Sequence, residues 1–156
     1  NTLLRLLSAV VELQPEQAAA PTAGASDAAI ERLAHLAHPG SLVLLLSDFQ
    51  QISTAAEPAL QALSLHNDLI FGFLYDPLEG TPPPAGNYPI TNRESSWSVN
   101  TQESSIKAQW AHRFESHREA TQSLCRRHRG HWMEVSTDDS LPHTLQLGLQ
   151  RRHRPR

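Results

Sequence analysis

The feature that most constrains this chain is the run Leu42-Val43-Leu44-Leu45-Leu46, which opens after Pro39-Gly40-Ser41 and closes on Ser47-Asp48. An apolar run of strand length with no polar alternation reads as a strand buried on both faces, and such strands belong to parallel sheets covered by helices. A second run, Leu69-Ile70-Phe71-Gly72-Phe73-Leu74-Tyr75, closes on Asp76-Pro77. The segment between the two runs is long enough for a crossover helix, so the strands are expected to lie parallel in one sheet.

The remaining punctuation places the other elements. Apolar residues at 3, 4, 6, 7, 10, 11 and 13 predict a helix over Thr2 to Leu13 with a wide buried face, stopped by Pro15. Residues 14 to 25, rich in Ala, Pro, Gly and Gln, read as a loop. Ser26-Asp27 is the expected N-cap of a helix carrying Ala29, Ile30, Leu33, Leu36 and Ala37 on one face. A turn over Gln50 to Thr54 leads to a helix over Ala55 to Ser64, with Pro58 in its first turn. Tyr88-Pro89-Ile90 and Trp97-Ser98-Val99 are candidate strands of a hairpin. A long helix follows from Gln102 to His128, with Ile106, Trp110, Phe114, Thr121 and Leu124 on one face and Gly130 ending it. His131 to Val135 is a third strand, and Leu141 to Leu149 is a last helix opened by Asp139 or Ser140. The expected fold is therefore a three-layer α/β domain, with a mostly parallel sheet between helices on both faces. It spans residues 1–152 as a single domain, and 153–156 form a basic tail.

Composition narrows the function. The single cysteine, Cys125, rules out an internal disulfide and suits a reducing, cytoplasmic setting. No apolar stretch approaches the roughly 20 residues of a membrane helix. The charge is split: residues 1–106 hold 3 Lys+Arg against 11 Asp+Glu, and residues 107–156 hold 10 against 5. The basic groups Arg126, Arg127, Arg129 and Arg151-Arg152-His153-Arg154 have no interleaved aromatics to stack on bases. They read as solvated helix ends, and nucleic-acid contact through them is a third-ranked reading. Cys125, His128 and His131 are zinc-ligand types, but the Gly130 break and the lack of a nearby fourth ligand favour a packed cysteine and surface histidines. No nucleophile elbow, phosphate-binding glycine loop or His-Glu-x-x-His string is present.

The chemistry that the sequence does offer sits at the strand ends. Asp48 and Asp76 each close an apolar run, and Ser136-Thr137-Asp138-Asp139 follows the third strand. In an open parallel sheet these ends border the ligand crevice. Hard oxygen ligands there suit Mg²⁺, Ca²⁺ or Mn²⁺, and Asp48, Asp76 and Asp138 holding Mg²⁺ would make a phosphoester hydrolase. The alternative is that each acid caps its own turn.

Pro39-Gly40-Ser41-Leu42-Val43-Leu44-Leu45-Leu46-Ser47-Asp48-Phe49, followed after a helix and a strand by Tyr75-Asp76-Pro77-Leu78-Glu79, resembles the bacterial family called domain of unknown function 58. Those proteins resemble von Willebrand factor type A domains, and the likeness covers residues 1 to 152. It implies that Asp48 corresponds to the aspartate after the fourth strand of a type A metal site, and Thr22 or Ser26 to its loop threonine. The Asp-x-Ser-x-Ser string of that site does not occur in this sequence. The resemblance thus implies an incomplete metal site, with Mg²⁺ belonging to a larger parent domain of which this is the C-terminal portion, and with any membrane anchor outside these residues. It also implies a non-enzymatic interaction module with a MoxR-type AAA+ ATPase as partner, docking at an edge marked by Ser47, Asp48 and Asp76. A strand at 42–47 deprived of a neighbour would in addition favour self-association.

Overall fold

The computed structural model describes residues 2–13, 22–91 and 95–151. In chain order the elements are α1 (Thr2–Glu12), α2 (Ala25–Leu36), β1 (Leu42–Ser47), a single 3₁₀ turn (Thr54–Ala56), α3 (Glu57–His66), β2 (Asp68–Tyr75), α4 (Pro77–Gly80), β3 (Asn87–Thr91), β4 (Ser96–Asn100), α5 (Ser104–Arg127), β5 (His131–Ser136) and α6 (Leu141–Arg151). Most of the loop expected over 14–25, and the tail at 153–156, lie outside the described residues.

The fold is α/β. Three strands form a parallel sheet in the order β1-β2-β5, and β3 and β4 form a separate antiparallel hairpin. Strand periodicity sends alternate residues to opposite faces. On one face Val43, Leu69, Phe71 and Phe73 pack with Ile30 of α2, Leu60 and Leu63 of α3 and Cys125 of α5. On the other, Ile70, Met133 and Val135 pack with Leu74 and with Leu145 of α6. Helices therefore cover both faces of the sheet, and β2, the middle strand, carries the most buried side chains.

β1 departs from the expectation of burial on both faces. Val43 is buried, but Leu42, Leu44 and Leu46 on the opposite face are 54%, 43% and 48% exposed. The reason is topological: among the described residues β1 is a sheet edge, and Leu145 of α6 packs over β2 and β5. Helix α1 likewise lacks the expected buried face among its described side chains, since Leu4, Val10 and Val11 are exposed.

Local chemistry explains the joints. Gly40 adopts φ 85°, a left-handed turn that costs glycine least, and its N–H donates to the carbonyl of His66 at 2.6 Å. Ser41 N–H donates to Asn67 Oδ1 at 3.0 Å, so the end of α3 and the start of β1 are fixed to each other. Helix α2 begins after Gly24 without a side-chain cap. Ser26-Asp27 is thus not its N-cap: Asp27 is buried and instead accepts from Ser53 N at 3.0 Å and from Ser53 Oγ at 2.5 Å. Those two bonds hold its carboxyl below the usual range.

Candidate interaction site at the strand ends

The turn after β1 is built by its own side chains. Ser47 Oγ accepts from Phe49 N at 3.0 Å, and Asp48 Oδ1 accepts from Gln50 N at 3.1 Å. Phe49 is forced to φ 57°, a strained region for a bulky residue, and its ring is held there by burial and by stacking on Phe71 at 5.6 Å. The carbonyl of Asp48 accepts from His117 Nε2–H of α5 at 2.7 Å, which brings α5 against the end of β1.

Asp76 caps the turn after β2. Its Oδ1 accepts from Leu78 N at 2.8 Å, and Glu79 Oε1 accepts in return from Asp76 N at 2.9 Å, a reciprocal capping box. Asp76 Oδ2 also accepts from Thr137 Oγ1 at 3.2 Å, joining the ends of β2 and β5. Asp139 Oδ2 accepts from Ser136 N at 3.2 Å.

The strand register separates these acids. Ser47 pairs with Phe73 and Ser136 pairs with Tyr75, so Asp48 lies level with Leu74, two residues short of Asp76. At about 3.3 Å per residue that is an offset of roughly 7 Å along the strands before the interstrand spacing is added. The structure brings Asp76 and Thr137 together but not Asp48 and Asp76. Thr22 is exposed, with its carbonyl accepting from Ala25 N, and Ser26 lies in the first turn of α2. Among the described residues no group of three or more His, Cys, Asp or Glu is placed to hold a metal ion. The donor set around Asp48 thus does not fit a type A Mg²⁺ site within the described residues.

Beside these strand ends lies a cleft of about 500 Å³ between the β3–β4 hairpin and α5, extending past Glu79 to His117. The register places Ile90 opposite Trp97 and Tyr88 opposite Val99, so these four share one face of the hairpin. Ile90, Trp97 and Val99 form one wall of the cleft, and Ile106, Trp110 and Phe114 of α5 line the other. Ile90, Val99 and Trp110 also border a smaller apolar cavity of about 180 Å³ that reaches Leu78. Trp110 is anchored by Nε1–H donating to the carbonyl of Leu78 at 2.8 Å. The base of the hairpin is clamped by buried Thr101, whose Oγ1 donates to the Pro84 carbonyl at 2.7 Å and accepts from Gly86 N at 3.0 Å. Arg113 and Gln109 on α5, and Gln50 beyond β1, supply the polar rim.

The family whose description reads "Protein of unknown function DUF58" matches residues 1–120. The chain belongs to that family. Neither a curated protein nor a solved structure matches it. The matched span takes in every residue lining the cleft and stops within α5, ahead of β5 and α6.

In this DUF58 chain the long apolar face read along α5 divides between two tasks. Its C-terminal part, with Thr121 and Cys125, is buried, whereas Ile106, Trp110 and Phe114 line the cleft. Burial pushes the Cys125 thiol up to about 11, the behaviour of a packed cysteine. His128 contradicts the expectation of surface histidines: it is 4% exposed and donates from Nε2 to Glu57 Oε2 at 2.8 Å. Arg127 pairs with the same carboxylate at 2.5 Å, and together they hold Glu57 below the usual carboxylate range, the Arg127 hydrogen bond contributing most. The cleft itself was signalled only by tryptophans on the hairpin and on α5, residues 97 and 110, which sequence spacing alone does not pair.

Among the described residues no helix is long and apolar enough to cross a membrane.

Proposed function

We propose that this DUF58 chain is a non-enzymatic protein-interaction module of a von Willebrand factor type A-like protein, with a MoxR-type AAA+ ATPase as its partner in the cytoplasm. The observation that carries the reading is the cleft between the hairpin and α5. It is walled by aromatic and branched side chains and rimmed by a few polar groups, and it opens where the parallel strands end. The order of elements and the position of Asp48 support the type A likeness. Ser47, Asp48 and Asp76 shape the edge of this surface by fixing the turns after β1 and β2. A phosphoester hydrolase built on Asp48, Asp76 and Asp138 has less support, because the first two acids are committed to separate turns.

Calorimetric titration with a MoxR-type AAA+ ATPase tests the proposal. Saturable micromolar binding that weakens at least tenfold in Trp97→Ala is expected, the size of a buried aromatic contact of about 1.4 kcal/mol or more. Binding that is absent, or indifferent to Trp97→Ala, overturns it.

A further inference from the structure

The two walls of the cleft are held in different ways. The α5 wall is fixed to the body of the domain, since Trp110 Nε1–H donates to the Leu78 carbonyl at 2.8 Å and His117 Nε2–H to the Asp48 carbonyl at 2.7 Å. The hairpin wall is fixed to itself. Thr101 N–H donates to the Gly86 carbonyl at 2.8 Å, Thr101 Oγ1–H donates to the Pro84 carbonyl at 2.7 Å, and the Tyr88 hydroxyl donates to the same carbonyl at 2.9 Å. Each of these bonds ties the legs of the hairpin to one another rather than to α5. Beyond their mutual pairing, β3 and β4 pack extensively against no helix or strand among the described residues. Across the gap both walls leave apolar surface in water: Trp97 is 47% exposed, and Ile90, Val99, Ile106, Trp110 and Phe114 are only partly buried.

We infer that the β3–β4 hairpin is a hinged flap, which swings as one unit to close Ile90, Trp97 and Val99 onto Ile106, Trp110 and Phe114 and swings back to open the cleft. Removing apolar surface from water is favourable whichever surface covers it, and for each wall the facing wall is the nearest such surface. Pro82, Pro83 and Pro84 stiffen one leg, so the bending falls at the connections over 80–81 and 102–103. A few residues at the ends of elements suffice for a hinge of this kind. Gln109 and Arg113 are exposed at the rim, where their polar ends stay in water when the walls meet. The flap rests on the interaction reading only for what enters the cleft, because the closure itself is intramolecular.

The test is a double electron–electron resonance measurement on the full chain, with nitroxide labels on Ser96→Cys of β4 and Ala111→Cys of α5. Both positions are exposed and neither lines the cleft, whereas Cys125 is buried and escapes the label. Two label distances are expected, for the open and the closed flap. The shorter should lose roughly fivefold or more of its population when Ile106→Asn makes one wall polar. Trp97→Ser, at an exposed position on the other wall, should act in the same direction, so the result does not hang on how well one variant folds. A distance distribution that is the same in the labelled chain and in both variants overturns the flap, whether it shows one distance or two. No partner is present in this experiment, so its failure leaves the interaction reading standing, and a failure to bind the ATPase leaves the flap standing.

Discussion

Nε2–H of His128, just past the end of α5, donates to Oε2 of Glu57, at the start of α3, across 2.8 Å. Arg127 Nη2 holds the other carboxylate oxygen at 2.5 Å. This clasp joins two helices that cover the same face of the sheet. Glu57→Ala leaves a buried imidazole without its acceptor and is expected to cost about 1–3 kcal/mol in urea unfolding at neutral pH. Glu57 has a lowered folded-state pKa, so its contribution is full above its ordinary value of 4.5 and fades as pH falls through the folded value. Stability should decline on acidification below that point, and Glu57→Gln should flatten this part of the curve. An unchanged acid limb in the variant would show that the clasp does not govern it.

Leu44 and Leu45 are adjacent but face opposite sides of β1. Leu45 packs against the main core, whereas Leu44 is 43% exposed. Leu45→Asp is therefore expected to lose several kcal/mol, on the order of 3, by placing an unpaired carboxylate against the core. Leu44→Asp should stay within about 1 kcal/mol of the parent chain. Paired denaturant melts decide the point, and equal losses would contradict the edge position of β1.

That edge carries a further consequence for association. Among the described residues β1 pairs with β2 on one side only, and the face opposite Val43 presents Leu42, Leu44 and Leu46. Unpaired edge groups beside apolar side chains favour pairing with another chain. Self-association at micromolar concentration is expected in sedimentation, reduced in Leu44→Lys. A monomer with uniformly slow amide exchange from Val43 to Ser47 would refute it.

Gly130 leaves room for two core side chains. A Cβ there would stand 2.7 Å from the ring of Phe71 and 3.1 Å from Cys125 Sγ. Gly130→Ala is expected to destabilise by about 1–3 kcal/mol through overpacking. The same distortion should speed modification of Cys125 by a thiol reagent, which the buried, high-pKa thiol of the unaltered chain resists.

The isolated carboxylate of Asp48 should not hold Mg²⁺ or Mn²⁺ tightly, because such ions need several convergent oxygens. Calorimetry is expected to give no micromolar affinity. A micromolar site abolished by Asp48→Ala would reverse this.

The apolar runs at 42–46 and 69–75 located two strands of the sheet because continuous hydrophobicity bounded by Gly, Pro and Asp has few other uses in a chain of this length. The hairpin was legible as two candidate strands, Tyr88-Pro89-Ile90 and Trp97-Ser98-Val99, but the register that sets Ile90 opposite Trp97 was not. The N-cap role expected of Asp27 was not realised, because a buried carboxylate gains more from two donors on Ser53 than from the helix start beside it.

By itself the sequence determined the α/β class, the parallel strands and the placement of acids after β1 and β2, all of which follow from local periodicity and turn chemistry. Only the tertiary structure decided that β1 lies at an edge with three of its four leucines exposed, that His128 is buried against Glu57, and that Trp97 and Trp110 frame one cleft. Those outcomes depend on which distant segments meet. Burial and partnership are properties of pairs separated by tens of residues, and a pattern read along the chain carries no record of that pairing.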